Sequence, residues 1–494
     1  MKRSLILFAS LLGSSVLLGQ PSNHAPADSL LGQASFSSQV EVTPPSASSL
    51  SLVEGVAVDL TSGKLFVADS GNHRILRFAS TEAYRTNAAA EAVFGQPDFT
   101  SRSSNRGNAD LDGLRGSDPS ANSLDSPLNL SVDAAGRLWV ADSGNARVLR
   151  YNQASEKPSF MATADTVIGQ PNFASDAPAA NDVADSGFSI PAGIAVDSAG
   201  RLWVSDSGIP RVLRFDDAAS LFGDAAASGY FGEKDGHPDN NPSTFDSGLV
   251  SASSFGATPY GLAVDQQGNL WVADASNNRV LGFKSAATKS NGADADVVLG
   301  QGNFLTRDSP DPPSATSMSS PYYVAIAPDG ALWVSDFVNY RVLGFVNPAQ
   351  ESNGAPANRV LGQADFVSRL AGPPTPRSID SPSQIAFARD GSLFLGQYLD
   401  AGLVKRWSDP VIISAPKSVT VKGSRAKIKG TASGATSIAY EVARQSGFLP
   451  AAGSATHWSL TAKKLAKKVT RVTIRGTAFD GRTGTATVKV VKEK

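Results

Sequence analysis

The stretch GVAVDLTSGKLFVADSGNHRILRF, residues 55–78, decides the architecture of this chain. An apolar run from Gly55 ends at Asp59 and turns through Gly63. A second run, Leu65 to Ala68, ends at Asp69, and the polar turn Ser70-Gly71-Asn72 leads into a third, Arg74 to Phe78. Short runs of Val, Ile, Leu and aromatic residues bounded by Gly, Asp and Asn are strands with turn punctuation. The i, i+3, i+4, i+7 spacing of a helix is not sustained.

The pattern recurs as NLSVDAAGRLWVADSGNARVLRY from Asn129, GIAVDSAGRLWVSDSGIPRVLRF from Gly193 and GLAVDQQGNLWVADASNNRVLGF from Gly261. It returns as YVAIAPDGALWVSDFVNYRVLGF from Tyr323 and, more weakly, as QIAFARDGSLFLGQYLDAGLVKRW from Gln384. A fourth element travels with it: LLGQASF from Leu30, then VFGQPDF, VIGQPNF, YFGEKDG, VLGQGNF and VLGQADF. Four short strands repeated radially make the blade of a propeller. The G-Q strand precedes the first unit and is missing after the last, so Leu30 to Gln33 is expected to complete the sixth blade. The expected fold is all-β: a six-bladed propeller over 28–408, then a small β-sandwich over 409–494.

The succession G-I-A-V-D, G-x-L-W-V-A-D and N-x-R-[VI]-L-x-F resembles the NHL repeat, most closely at Asn72-His73-Arg74-Ile75-Leu76. The sixth copy departs from it, with Gly396 and Gln397 in place of Ala-Asp. The resemblance implies a propeller used to bind protein or RNA, an extracellular sensor domain, or a zinc- and calcium-dependent peptide-amidating lyase. Fold alone does not choose among these. The lyase relatives use a His-rich zinc site, which His73 and His237 cannot assemble by themselves. Gluconolactonase-like propellers hold their metal through carboxylates and amides, for which this chain has candidates.

Composition changes near residue 409. From Asp409 to Lys494 there are 16 Lys and Arg against 4 acidic residues, a surplus of 12. Since the whole chain carries −1, the rest carries −13. That acidity disfavours nucleic acid as a partner of the ring. Alternating segments such as SVTVKG, AKIKGTA and RVTIRGTAFD suggest an immunoglobulin-like sandwich lacking the Cys pair of antibody domains. Its Lys and Arg either attach it to an anionic envelope surface or block edge-to-edge pairing of exposed strands. At the other end, Lys2 and Arg3 precede an apolar run, Leu5 to Leu18, and an A-x-A pattern at Ala25–Ala27. This reads as a signal peptide cut before Asp28, with Gly19 as an earlier option. It implies an exported protein, periplasmic, cell-surface or secreted. No second apolar segment is long enough to span a membrane.

Two sets of residues are candidates for function. Asp69, Asp142, Asp206, Asp274 and Asp336 end the second strand of five units. With nearby Asn they offer oxygen ligands to Ca²⁺, or a Zn²⁺ site in an enzyme; alternatively they accept turn N–H groups and pair the following Arg. The long connections between units are binding-loop candidates. Asp110, Asp112, Arg115 and Asp118 cluster in one of them, and His73 and His237 lie on the same face. The favoured reading is a monomeric, cofactor-free, non-catalytic binding or scaffold protein with a protein or glycan ligand of the cell envelope. The alternative is a metal-dependent lyase or lactonase with its site at the top of the channel.

Overall fold

A computed structural model describes residues 23–80, 84, 86–107, 118–178, 186–232, 250–399 and 401–408, together with the strands between 412 and 492. One compact unit spans Gln20–Ser408, and a second contains Asp409–Lys494.

The first unit is a six-bladed β-propeller of four-stranded antiparallel sheets. Blade 1 comprises Val53–Val58, Leu65–Asp69, Arg74–Phe78 and Ala92–Phe94, from the axis outward. The innermost strands of the next five blades are Pro127–Val132, Pro191–Val196, Pro259–Val264, Pro321–Ile326 and Pro382–Phe387. Each first hairpin turns on a Gly with φ between +72° and +86° (Gly63, Gly136, Gly200, Gly268, Gly330 and Gly391). A side chain with a Cβ is strained there. In blades 2 to 4 the Asp opening this turn also accepts the indole N–H of the Trp on the second strand. The distances are 2.9 Å for Trp139–Asp133, 3.2 Å for Trp203–Asp197 and 3.4 Å for Trp271–Asp265. Ala327 takes the Asp position in blade 5, and Trp333 Nε1 is buried there without a partner.

These four Trp are at most 1% exposed, and each packs into the cluster shared with the following blade. Phe66 and Phe394 fill the same place in blades 1 and 6. The wide ring adds a large apolar surface to the contact between neighbouring sheets.

The outer strand of the sixth blade is Ser29–Leu31, paired antiparallel with Leu403–Trp407 so that Leu30 faces Lys405. Leu30 and Leu31 are fully buried. Asp28 pairs with Arg406 at 2.8 Å, and Trp407 Nε1 donates to the Ala25 carbonyl at 2.9 Å. His24 N–H donates to the Val360 carbonyl, and Ala27 is 5% exposed. Ala25 and Ala27, in the segment read from sequence as the end of a removed leader, pack with Trp407 in one apolar cluster.

In the second unit the described strands form two sheets. One orders Ile412–Ser414, Ala426–Ser433, His457–Ala462 and Ala452–Gly453. The other orders Ser418–Val421, Thr483–Lys492, Val469–Thr477, Ser437–Val442 and Leu449–Pro450, with its first pair parallel. No helix among the described residues is long and apolar enough to cross a membrane.

Ring closure by Ser29–Leu31 yields a direct expectation. A chain beginning after Phe36 loses two fully buried Leu, each stabilising by about 1.5–3 kcal/mol. Its melting temperature should fall by roughly 5–10 °C in calorimetry. A truncated chain that melts with the parent would show that the sixth blade does not need this strand.

Candidate functional site

One face of the ring carries the turns between second and third strands and the long connections between blades. The two are tied together by a repeated buried clamp. Arg74 Nε donates to Asp69 Oδ2 at 2.7 Å, and both side chains are fully buried. The Asp also accepts the Asn72 amide at 3.0 Å and the Ser51 N–H at 2.6 Å. The Arg fork continues to the carbonyls of Ser46, Ser49 and Phe99. The same set recurs as Asp142–Arg147, Asp274–Arg279 and Asp336–Arg341, each at 2.7 Å and fully buried. Blade 3 loosens it: Asp206 accepts the N–H groups of Ser189 and Ile190, and Arg211 Nε lies 3.8 Å away. Burial pushes all five carboxyls above the ordinary range, and the Arg charges pull them back.

The long connections between units end in a repeated turn. In Ser46–Ser49, Ser120–Ser123, Ser251–Ser254, Ser314–Ser317 and Thr375–Ser378, the first N–H donates to the last hydroxyl. The carbonyls of these turns accept from the Arg of the same blade. In blade 6, Gln397 and Leu403 replace the Asp and Arg, and Lys405 Nζ donates to Thr375 and Ser378 instead. Burial lowers the Lys405 ammonium to about 8 despite the favourable charge of Asp380. The Gln of G-Q-x-x-F clamps a loop as well: Gln96 donates to the His73 and Ser103 carbonyls, and Gln301 to those of Asn278 and Asp308.

The five repeated Asp are consequently not brought together. Each sits inside its own blade, and the oxygens a Ca²⁺ or Zn²⁺ would need already accept from Arg, Asn and backbone N–H groups. Among the described residues no three acidic or histidine side chains are grouped as a metal would require. Of the two readings of these Asp, the geometry is that of the blade clamp and not of a convergent ligand ring. His73 has a linking role: its Nδ1 lies 3.1 Å from the Ser126 nitrogen and 2.9 Å from Asp125 Oδ1, joining blade 1 to blade 2. Asn278 makes the equivalent link to Ser320. Asp118 is partly buried just before the Ser120 turn. Asp110, Asp112, Arg115 and His237 lie outside the described residues.

The arrangement with chemical character lies at the axis. Gln384 reaches from blade 6 across the channel, accepting the N–H groups of Val56 and Leu130 and donating to the Leu130 carbonyl. Tyr323 in blade 5 donates to Glu54 Oε2 in blade 1 at 3.0 Å. Above this plug, Tyr260 stacks on Tyr322 at 4.8 Å and 8°, and Tyr322 on Phe337 at 4.1 Å and 15°. Tyr323 meets Tyr260 edge-on at 6.1 Å. Phe337 and Tyr398 sit on the second-to-third-strand turns of blades 5 and 6, which places the cluster at the channel mouth on the loop-bearing face. Glu54 is 6% exposed, and burial raises its carboxyl from 4.5 to about 7 against the pull of the Tyr323 hydrogen bond. Burial first, then the Glu54 charge, raises the phenols of Tyr260, Tyr322 and Tyr323. All three stay protonated at neutral pH.

None of these axial residues stood out in the sequence. The available signal was departure from the repeat at the second and third positions of the innermost strand. There the six blades read Glu54-Gly55, Leu128-Asn129, Ala192-Gly193, Tyr260-Gly261, Tyr322-Tyr323 and Ser383-Gln384. Side chains at these positions converge on the axis, so differences between copies become one composite site.

Fold and site together define a six-bladed propeller with its distinctive chemistry at the channel mouth. The NHL repeat model matches residues 50–78 and 257–283, in blades 1 and 4. No curated protein matches the chain by sequence. Among solved structures it is similar to a streptogramin B lyase at 12% identity, with 76% of this chain and 96% of that one covered and a TM-score of 0.38. A gluconolactonase from Xanthomonas campestris is similar at 16% identity, with 78% and 97% covered and a TM-score of 0.38. A protein of unknown function from Bacteroides thetaiotaomicron is similar at 14% identity, with 76% and 75% covered and a TM-score of 0.44.

Three outcomes follow from this geometry. Asp142→Ala strands a fully buried Arg147 and should cost about 3–5 kcal/mol in denaturant unfolding. Chelator should leave the parent's melting temperature unchanged; a large chelator shift would restore the metal reading. For Glu54 the folded carboxyl holds its proton up to about 7 while the unfolded one releases it near 4.5. The native state binds more protons in that window, so stability is lost as pH rises from 4.5 to 7. Glu54→Gln removes the effect and should gain about 3 kcal/mol on the parent across the window. Parallel stability–pH curves for the two would show that Glu54 titrates normally.

Proposed function

We propose that this protein is an exported, non-catalytic binding and scaffold protein. Its ring presents the loop-bearing face and channel mouth to a protein or glycan of the cell envelope. The basic C-terminal unit, two sheets packed as an immunoglobulin-like sandwich, aids attachment to an anionic surface. Six blades closed by the N-terminal strand are self-sufficient, which favours a monomer. Packing of residues 23–28 favours leader cleavage upstream of Asn23.

The observation that carries this reading is the aromatic mouth: stacked Tyr260, Tyr322 and Phe337 over a channel plugged by Glu54, Tyr323 and Gln384. Aromatic platforms with a few polar groups bind ligands well. The lyase or lactonase alternative loses its ligand set to the blade clamps.

Retention of the full chain on isolated envelope fractions tests the proposal. The parent should be held at low salt and keep a residual fraction at roughly 0.5 M salt, where surface electrostatics are screened. Tyr322→Ala with Phe337→Ala should abolish that residual fraction. Equal retention of parent and variant at high salt, or chelator-sensitive turnover of lactones, would overturn it.

A further inference from the structure

We infer that the channel mouth is a receptor for an organic ammonium group, with Glu54 as counter-ion and Tyr260, Tyr322, Tyr323 and Tyr398 as its wall. The inference deepens the binding reading above and rests on it.

The case begins with the contrast between Glu54 and the five repeated Asp. Each of those carboxyls has an Arg of its own blade beside it. Glu54 is buried too, at 6% exposure, yet among the described residues it forms no ion pair. Its Oε2 accepts from Tyr323, and Oε1 takes no hydrogen bond from a described residue. A buried carboxyl without a countercharge holds a proton, as this one does up to about 7. A bound cation can take that proton's place.

The wall selects the sign of the ligand. Among the described residues, the titratable groups coupled to Glu54 are phenols: Tyr323 by its hydrogen bond, and Tyr260 and Tyr322 through its charge, with Tyr398 acting on the latter two. Burial keeps the hydroxyls of Tyr260, Tyr322 and Tyr323 neutral, so none competes as an anion or supplies positive charge. Tyr and Phe rings present negative faces and attract cations, ammonium groups above all. Tyr398 is 37% exposed and Phe337 partly so, leaving the rim of the wall open to a ligand. The −13 carried by the chain outside its last 86 residues adds a long-range field of the same preference. An anion would be repelled by the carboxyl; a neutral ligand would leave it protonated. An ammonium supplies N–H donors or a soft cationic surface where Oε1 is open.

Calorimetric titration of the full chain tests this, with three ammonium probes and their neutral counterparts. Choline is compared with 3,3-dimethylbutanol, glucosamine with glucose, and an amide-capped lysine with its Nζ-acetylated form. At pH 8 at least one ammonium probe should bind at least tenfold more tightly than its neutral counterpart. The probe that binds separates an amino sugar from a lysine or quaternary amine as the source. Its affinity should weaken by about tenfold per pH unit below 7, because only the ionised carboxyl pairs with it. Glu54→Gln should weaken binding at least tenfold at an undiminished melting temperature, and Tyr398→Ala, at the exposed rim, should weaken it severalfold. Equal binding of neutral and ammonium probes, unchanged affinity in Glu54→Gln, or no heat with any probe would each overturn the inference. If the probes fail while envelope retention still depends on Tyr322 and Phe337, the ammonium receptor falls and the binding function stands.

Discussion

The buried Asp–Arg pair at the head of five of the six blades is the interaction on which the ring depends. Two charges are taken fully out of water, and that is tolerated because almost every donor and acceptor around them is satisfied. The carboxyl collects an Arg, an Asn and a backbone N–H. The guanidinium collects the carboxyl and three carbonyls from two different connections. One salt bridge therefore fixes the turn between strands, the entry of the chain into its blade and its exit from the outer strand. The planar fork of Arg suits this task because its donors diverge at set angles.

Where the clamp changes, the structure shows what it must accomplish. Blade 3 has Ile209-Pro210 where the Asn and the left-handed residue stand elsewhere, and its Arg sits farther from Asp206. Blade 6 has no Asp–Arg pair, yet Lys405 brings an ammonium from two residues along the strand to the same turn carbonyls. The requirement is a positive donor beneath the Ser or Thr turn, and more than one side chain meets it. Glu54 stands apart because nothing of this kind accompanies it.

Much of the fold could be read from the sequence because the repeat is local. D-x-x-G, A-D-S-G-N and R-V-L-R-F each encode a turn or strand through neighbours within a few residues, and the Trp position marks the blade interface. The ring-closing strand could be inferred by counting elements. The S-x-x-S turns were equally present in the sequence but hidden by connections of unequal length. The contacts of Ala25 with Trp407 and of Asp28 with Arg406 were invisible for another reason: their partners lie more than 370 residues away in the chain.

The sequence alone determined the number of blades and their strand order, because these depend on short-range spacing, and it offered the pairing of each Asp with the Arg five residues on as one of two readings. Only the tertiary structure decided which residues share the axis. Glu54 and Tyr323 are 269 residues apart, as Gln384 and Leu130 are 254 apart, and nothing in their local surroundings relates them. Closing the ring brings the second and third positions of six separate strands to one point. There the loss of water gives a single carboxyl and its tyrosines a chemistry they do not have along the chain.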